Sequence, residues 1–127
     1  MHALRLAFLL PALAAIPSLP AAAQDRPQTI EIHLSSFAFE PRLIRLRAGA
    51  PVLLHLVNTG RGGHNFSAPE FFAAAGAVAG PVRQGAVEVG GRQSADVRLV
   101  PAAGRYRLRC THTLHSSFGM RGEIVVE

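Results

Sequence analysis

The chain has no lysine, one tyrosine and one cysteine. With Cys110 alone, no disulfide can close within a molecule. With Tyr106 as the only tyrosine and thirteen arginines scattered or alternating along the chain, the stacking platform and basic block of a nucleic-acid binder are missing. Long apolar runs are scarce as well. Residues 6–16 are almost wholly apolar, but the run is short and is broken by Pro11 and followed by Pro17, so it does not suit a membrane span. No later run approaches spanning length, and no internal repeat is visible. Stable membrane insertion is therefore not expected.

What stands at the N-terminus has another logic. Arg5 gives a positive start, residues 6–16 an apolar centre, and Ala21-Ala22-Ala23 the small residues accepted by signal peptidase. The pattern predicts a signal peptide over residues 1–23, cleaved after Ala23, and export to the periplasm. Residues 24–127 are of a size for one domain with one core. They carry twelve arginines against eight acids, a net charge of +4 that favours acidic partners or surfaces. A lone cysteine in an oxidising compartment points to an intermolecular bridge, a reactive thiol or a metal ligand.

Period-two alternation runs through the rest. Residues 28–34 place Ile30, Ile32 and Leu34 on one face; residues 43–47, 52–57, 85–89 and 93–99 read as further short strands. Residues 105–110 give the cleanest strand, with Tyr106, Leu108 and Cys110 inward and Arg105, Arg107 and Arg109 outward. Residues 122–126 supply a closing strand. Ser67-Ala68-Pro69-Glu70 reads as a capping box, with Phe66 and Phe71 as a hydrophobic staple, and predicts one helix ending near Gly76. About seven short strands and one short helix make an antiparallel, Greek-key β-sandwich the expected all-β architecture.

The chemistry gathers behind that strand, in Cys110-Thr111-His112-Thr113-Leu114-His115-Ser116-Ser117-Phe118-Gly119-Met120. A strand delivers a thiol, and the loop after it offers imidazoles and a thioether. His64, after the glycine-rich residues 60–63, can add a second imidazole. Two His and one Cys with an axial Met form a copper site, and the thioether disfavours zinc. His112 competes with His115 on residue type, as a ligand or as a proton-sensitive neighbour of the site. His33 lies on the polar face of its strand, and His55 alternates away from Val52, Leu54 and Leu56 as a surface or satisfied core residue. A Cys–His pair could also activate a nucleophile, but no motif supplies an oxyanion hole or orienting carboxylate, so an enzyme is not expected.

His64-Asn65, Gly104-x-Tyr106-x3-Cys110, Cys-x4-His-x4-Met, the 122–126 strand and Phe37-x-Phe39-x-Pro41 together resemble the cupredoxins, a family that includes plastocyanin, azurin, pseudoazurin and rusticyanin. The ligand-loop spacing is most similar to that of rusticyanin. The resemblance implies one copper ion cycling between Cu(I) and Cu(II), bound by His64, Cys110, His115 and Met120. It also implies that Asn65 bonds near Thr111, that an amide donates to the Cys110 sulfur, and that His115 is the electron port within a rim of Leu114, Phe118 and Gly119. The expected function is a periplasmic, monomeric carrier of single electrons between redox proteins such as a cytochrome and an oxidase or reductase. A copper-binding protein for tolerance or delivery would use the same ligands and is the alternative.

Overall fold

The computed structural model describes residues 26–112 and 119–127. The expected signal peptide and most of the Cys110–Met120 loop, His115 included, lie outside them. Ten strands and one helix follow in order: β1 (Gln28–Ser35), β2 (Ala38–Glu40), β3 (Leu43–Leu46), β4 (Val52–Asn58), β5 (His64–Ser67), α1 (Pro69–Ala74), β6 (Gly76–Ala79), β7 (Ala86–Val89), β8 (Ser94–Val100), β9 (Gly104–Arg109) and β10 (Arg121–Val126). The strands form two five-stranded sheets, in the orders β2-β1-β4-β8-β6 and β3-β10-β9-β5-β7.

The alternation in the sequence decides which face each strand buries. Ile32 and Leu34 of β1, Val52, Leu54 and Leu56 of β4, and Val97 and Leu99 of β8 point into the core from the first sheet. Ile44, Phe66, Val87, Leu108 and Ile124 meet them from the second. Phe66 stands edge-on to Phe39 and Phe72, each with ring centroids 6.0 Å away, so one aromatic joins both sheets and the helix. Tyr106 closes the turn before β9 by donating its hydroxyl hydrogen to the carbonyls of Ala102 (2.9 Å) and Ala103 (3.2 Å).

The sandwich is as expected, but four details differ. There are ten strands among the described residues, not about seven. β2 has only three residues, and β6 is exposed along its whole length, so neither carries a usable alternation. The sheets are also not wholly antiparallel: β1 runs parallel to β4, and β3 parallel to β10. His64 begins β5, a strand buried at all four positions, rather than sitting in a loop. The capping box does not form. Ser67 is the last residue of β5, where it pairs with Ala86 and Arg109, so its backbone is committed to the sheet. Ala68 takes the N-cap without a side-chain bond, Pro69 fills a first-turn position that needs no N–H, and the helix ends at Ala74.

Candidate metal centre

One end of the second sheet brings most of the expected ligands together. β9 and β10 pair through Arg109 and Arg121, and the ladder extends one step further: the Cys110 amide donates to the Met120 carbonyl at 3.1 Å. A thiol and a thioether therefore leave the sheet side by side, both fully buried. β5 arrives alongside β9. The backbone N–H of Asn65 donates to the Cys110 sulfur at 3.5 Å, which places His64 one residue from that contact. The ring of His64 is itself buried.

The loop before His64 is held from several directions. Buried Asn58 donates from Nδ2 to the carbonyls of Gly62 (2.9 Å) and Val89 (3.0 Å), and accepts the Gly60 amide at Oδ1 (2.9 Å). A side chain at Gly60 would place Cβ 3.5 Å from Nε2 of His64, so that nitrogen faces the 58–60 segment. The β7–β8 turn presses on the same loop. Arg92 N–H bonds the Gly60 carbonyl at 3.0 Å, and a Cβ on Gly91 would stand 1.9 Å from the Arg61 carbonyl oxygen. Only glycine permits that approach.

A second set of bonds ties the segments carrying His64 and Cys110 to β7. Asn65 Nδ2 donates to Thr111 Oγ1 (2.7 Å) and to Glu88 Oε1 (2.8 Å), while Asn65 Oδ1 accepts the Thr111 amide (2.8 Å). The link between Asn65 and Thr111 and the amide bond to the sulfur are both present, as the family resemblance implies. The other Glu88 oxygen meets His112 Nε2 at 2.8 Å. Burial alone would raise the Glu88 carboxyl; hydrogen bonds from His112 and Asn65, together with the charge of His112, outweigh it and hold the group below its ordinary value.

Of the expected ligands, the structure brings Cys110, Met120 and the His64 segment to one place, and His115 lies outside the described residues. Leu114 and Phe118 of the expected rim lie there too. His112 is turned to Glu88, while His33 and His55 pair with Glu31 and Asp96 on the outside of the first sheet, each at 2.6 Å. Among the described residues no three His, Cys, Asp or Glu side chains gather as a metal cluster. The described donors are instead one imidazole, one thiol and one thioether. That set is soft, buried and supplied with an amide for the sulfur, which suits copper and not a hard cation. Two contributors went unread in the sequence. Asn58 looks like an ordinary turn residue, and Glu88 is the polar member of an alternating strand; only the register, Glu88 opposite Asn65, shows its part.

The sequence matches the family model of the cupredoxin-like domain over residues 5–126, and the chain belongs to that family. Its fold is similar to reduced auracyanin from the photosynthetic bacterium Roseiflexus castenholzii (22% identity, 79% of this chain and 97% of that one, TM-score 0.61). It is also similar to auracyanin A, a "blue" copper protein from Chloroflexus aurantiacus (23% identity, 80% and 100% covered, TM-score 0.58). The McoA multicopper oxidase of Aquifex aeolicus shares the fold over 90% of this chain but only 32% of its own (16% identity, TM-score 0.64). Among curated proteins nothing matches.

Proposed function

We propose that the protein is a periplasmic carrier of single electrons, holding one copper ion through His64, Cys110, His115 and Met120. The observation that carries this is the Cys110 sulfur: fully buried, beside Met120 and bonded by the Asn65 amide. Copper in such a donor set supplies one-electron exchange between Cu(I) and Cu(II). The chain's own residues keep the donors still. Asn65, Thr111 and Glu88 bind the segment carrying His64 to the one carrying Cys110, and Asn58 braces the loop before His64. Fixed donors leave little to rearrange when charge changes, and the buried sulfur is kept from water. With Nε2 of His64 turned to the 58–60 segment, Nδ1 is the nitrogen we assign to the metal. The same bracing favours transfer over delivery, since a protein that hands copper on needs a donor set that opens readily.

Residues 1–23 act in this reading as the export signal, and redox proteins such as a cytochrome and an oxidase or reductase are the partners of a monomeric carrier. The test is to load the purified protein with Cu(II) and record its visible and EPR spectra and its voltammetry. An intense thiolate-to-copper band, lost in Cys110→Ala, and a reversible one-electron couple are expected. Colourless protein, or copper that passes to a chelator without a reversible couple, overturns the reading.

A further inference from the structure

The outward face of the second sheet has a composition that solvation alone does not explain. Its eight outward positions on β3, β9 and β10 are Leu43 and Arg45, then Arg105, Arg107 and Arg109, then Arg121, Glu123 and Val125. Five arginines and one glutamate give these eight positions a net +4. Glu88 on β7 and Glu127 beside Arg45 lie on the same side, and Glu70 lies next to Arg107 and Arg109, so the basic excess is local to the β9 and β10 rows.

Arg107 and Arg109, at the centre of these rows, are exposed and outside any ion pair among the described residues. Val125 lies in register between Arg105 and Arg45 and is only 3% exposed although it points outward. The flanking Arg45 and Arg105 side chains are 66% and 71% exposed. Arg109 and Arg121 stand directly opposite one another across the antiparallel pair, an arrangement that disfavours the free sheet. Arg105 pairs with Glu123 at 2.7 Å and Arg45 reaches Glu127 at 3.9 Å, but Arg107 and Arg109 have no ion-pair partner among the described residues. The position is as telling as the charge. Arg109 precedes Cys110 and Arg121 follows Met120, so the basic rows end one residue from two of the proposed ligands.

Resting on the electron-carrier reading above, we infer that this arginine face is the docking surface for the redox partner, which presents a carboxylate-rich protein surface to it. Planar guanidinium forks match carboxylates in pairs, and a local basic field orients the encounter as well as speeding it. A partner seated over Arg107, Arg109 and Arg121 lies against the backbone that leads directly to the Cys110 sulfur.

The copper-loaded protein tests this with two probes. A deca-glutamate peptide, titrated into the ¹⁵N-labelled Cu(I) form, is expected to shift the amides of residues 105–109 and 121–123, and to lose its effect in high salt. Hexacyanoferrate(III), as an anionic oxidant of the Cu(I) form, is expected to react at least threefold more slowly with Arg107→Gln/Arg109→Gln at low ionic strength. A control with the same charge change at the first sheet, Arg26→Gln (two residues before β1) with Arg98→Gln (on β8), is expected to stay within a factor of about 1.5, with steering set by local charge. Equal slowing by both pairs, or peptide shifts centred elsewhere, overturns the assignment. So does tighter binding to phosphatidylglycerol vesicles than to the peptide, which would make the face a membrane surface. Failure of the electron-carrier reading shows separately, as a missing one-electron couple in the unmutated protein.

Discussion

Replacing Asn65 by alanine isolates what binds the segments carrying His64 and Cys110 together. The substitution removes three side-chain hydrogen bonds: those from Nδ2 to Glu88 and Thr111, and the one Oδ1 accepts from the Thr111 amide. It leaves the backbone N–H that reaches the Cys110 sulfur. Each part-buried bond contributes about 1 kcal/mol net, and stranding the Thr111 amide adds to the loss. The bond to Glu88 receives no extra weight for its charge, because that side chain is 68% exposed. The sum is about 3 kcal/mol, which lowers the urea midpoint of the metal-free protein by roughly 2 M at a slope near 1.5 kcal/mol per M. Equilibrium denaturation of the metal-free form reads this without any contribution from copper. The copper-loaded variant should keep its thiolate-to-copper band, since the sulfur's own hydrogen bond is backbone-borne.

Asn65→Asp sharpens the test. One aspartate oxygen can still accept from Thr111, but the other meets the Glu88 carboxylate where an amide donated before. Two carboxylates so close raise one another's pKa in the folded state, so this variant loses stability as pH rises, in contrast to Asn65→Ala. A loss below about 1 kcal/mol in Asn65→Ala, or no difference in pH trend between the two variants, would refute the idea that this side chain joins the segments.

Three further outcomes are expected. Glu88 has its pKa held below the ordinary value near 4.5, so its contribution to stability is present above that pH and is lost as pH falls through the folded value. The stability difference between wild type and Glu88→Gln should therefore shrink on acidification below about pH 4.5, as thermal melts across a pH series will show. Gly91→Ala forces a Cβ against the Arg61 carbonyl and should cost about 2 kcal/mol or more and weaken copper binding in a chelator competition, whereas Gly62→Ala, with open space around its Cβ, should change neither. Tyr106→Phe, which strips the hydroxyl from the carbonyls of Ala102 and Ala103, should lower stability by about 1 kcal/mol without altering the copper spectrum.

The fold was legible where burial acts on one strand at a time. The core faces of β1, β4 and β9 follow directly from alternation, because a half-buried strand must put every second side chain inside. It became illegible where another strand decides. β6 is exposed throughout and exists only because β8 offers it hydrogen bonds. Ser67-Ala68-Pro69-Glu70 has the letters of a capping box, yet Ser67 is held in β5 by its neighbours on β7 and β9. A local signal gave way to a non-local ladder.

The candidate site divides along the same line. Cys110 and Met120 stand out because a lone thiol and a nearby thioether are rare residue types at a strand end. Glu88 and Asn58 are common types in ordinary positions. Their importance comes from chain segments 23 to 46 residues apart meeting in one place: Glu88 with Asn65, and Asn65 with Thr111. Candidate donors are single residue types and stand out in the sequence. Donor rigidity is a property of register, since a slip by one residue in β5 against β7 would turn Asn65 away from Glu88 and carry the amide off the Cys110 sulfur. The pairing that forms the second sheet is therefore the same pairing that fixes the sulfur's hydrogen bond, and a variant that loosens β7 should disturb the site before it disturbs the core.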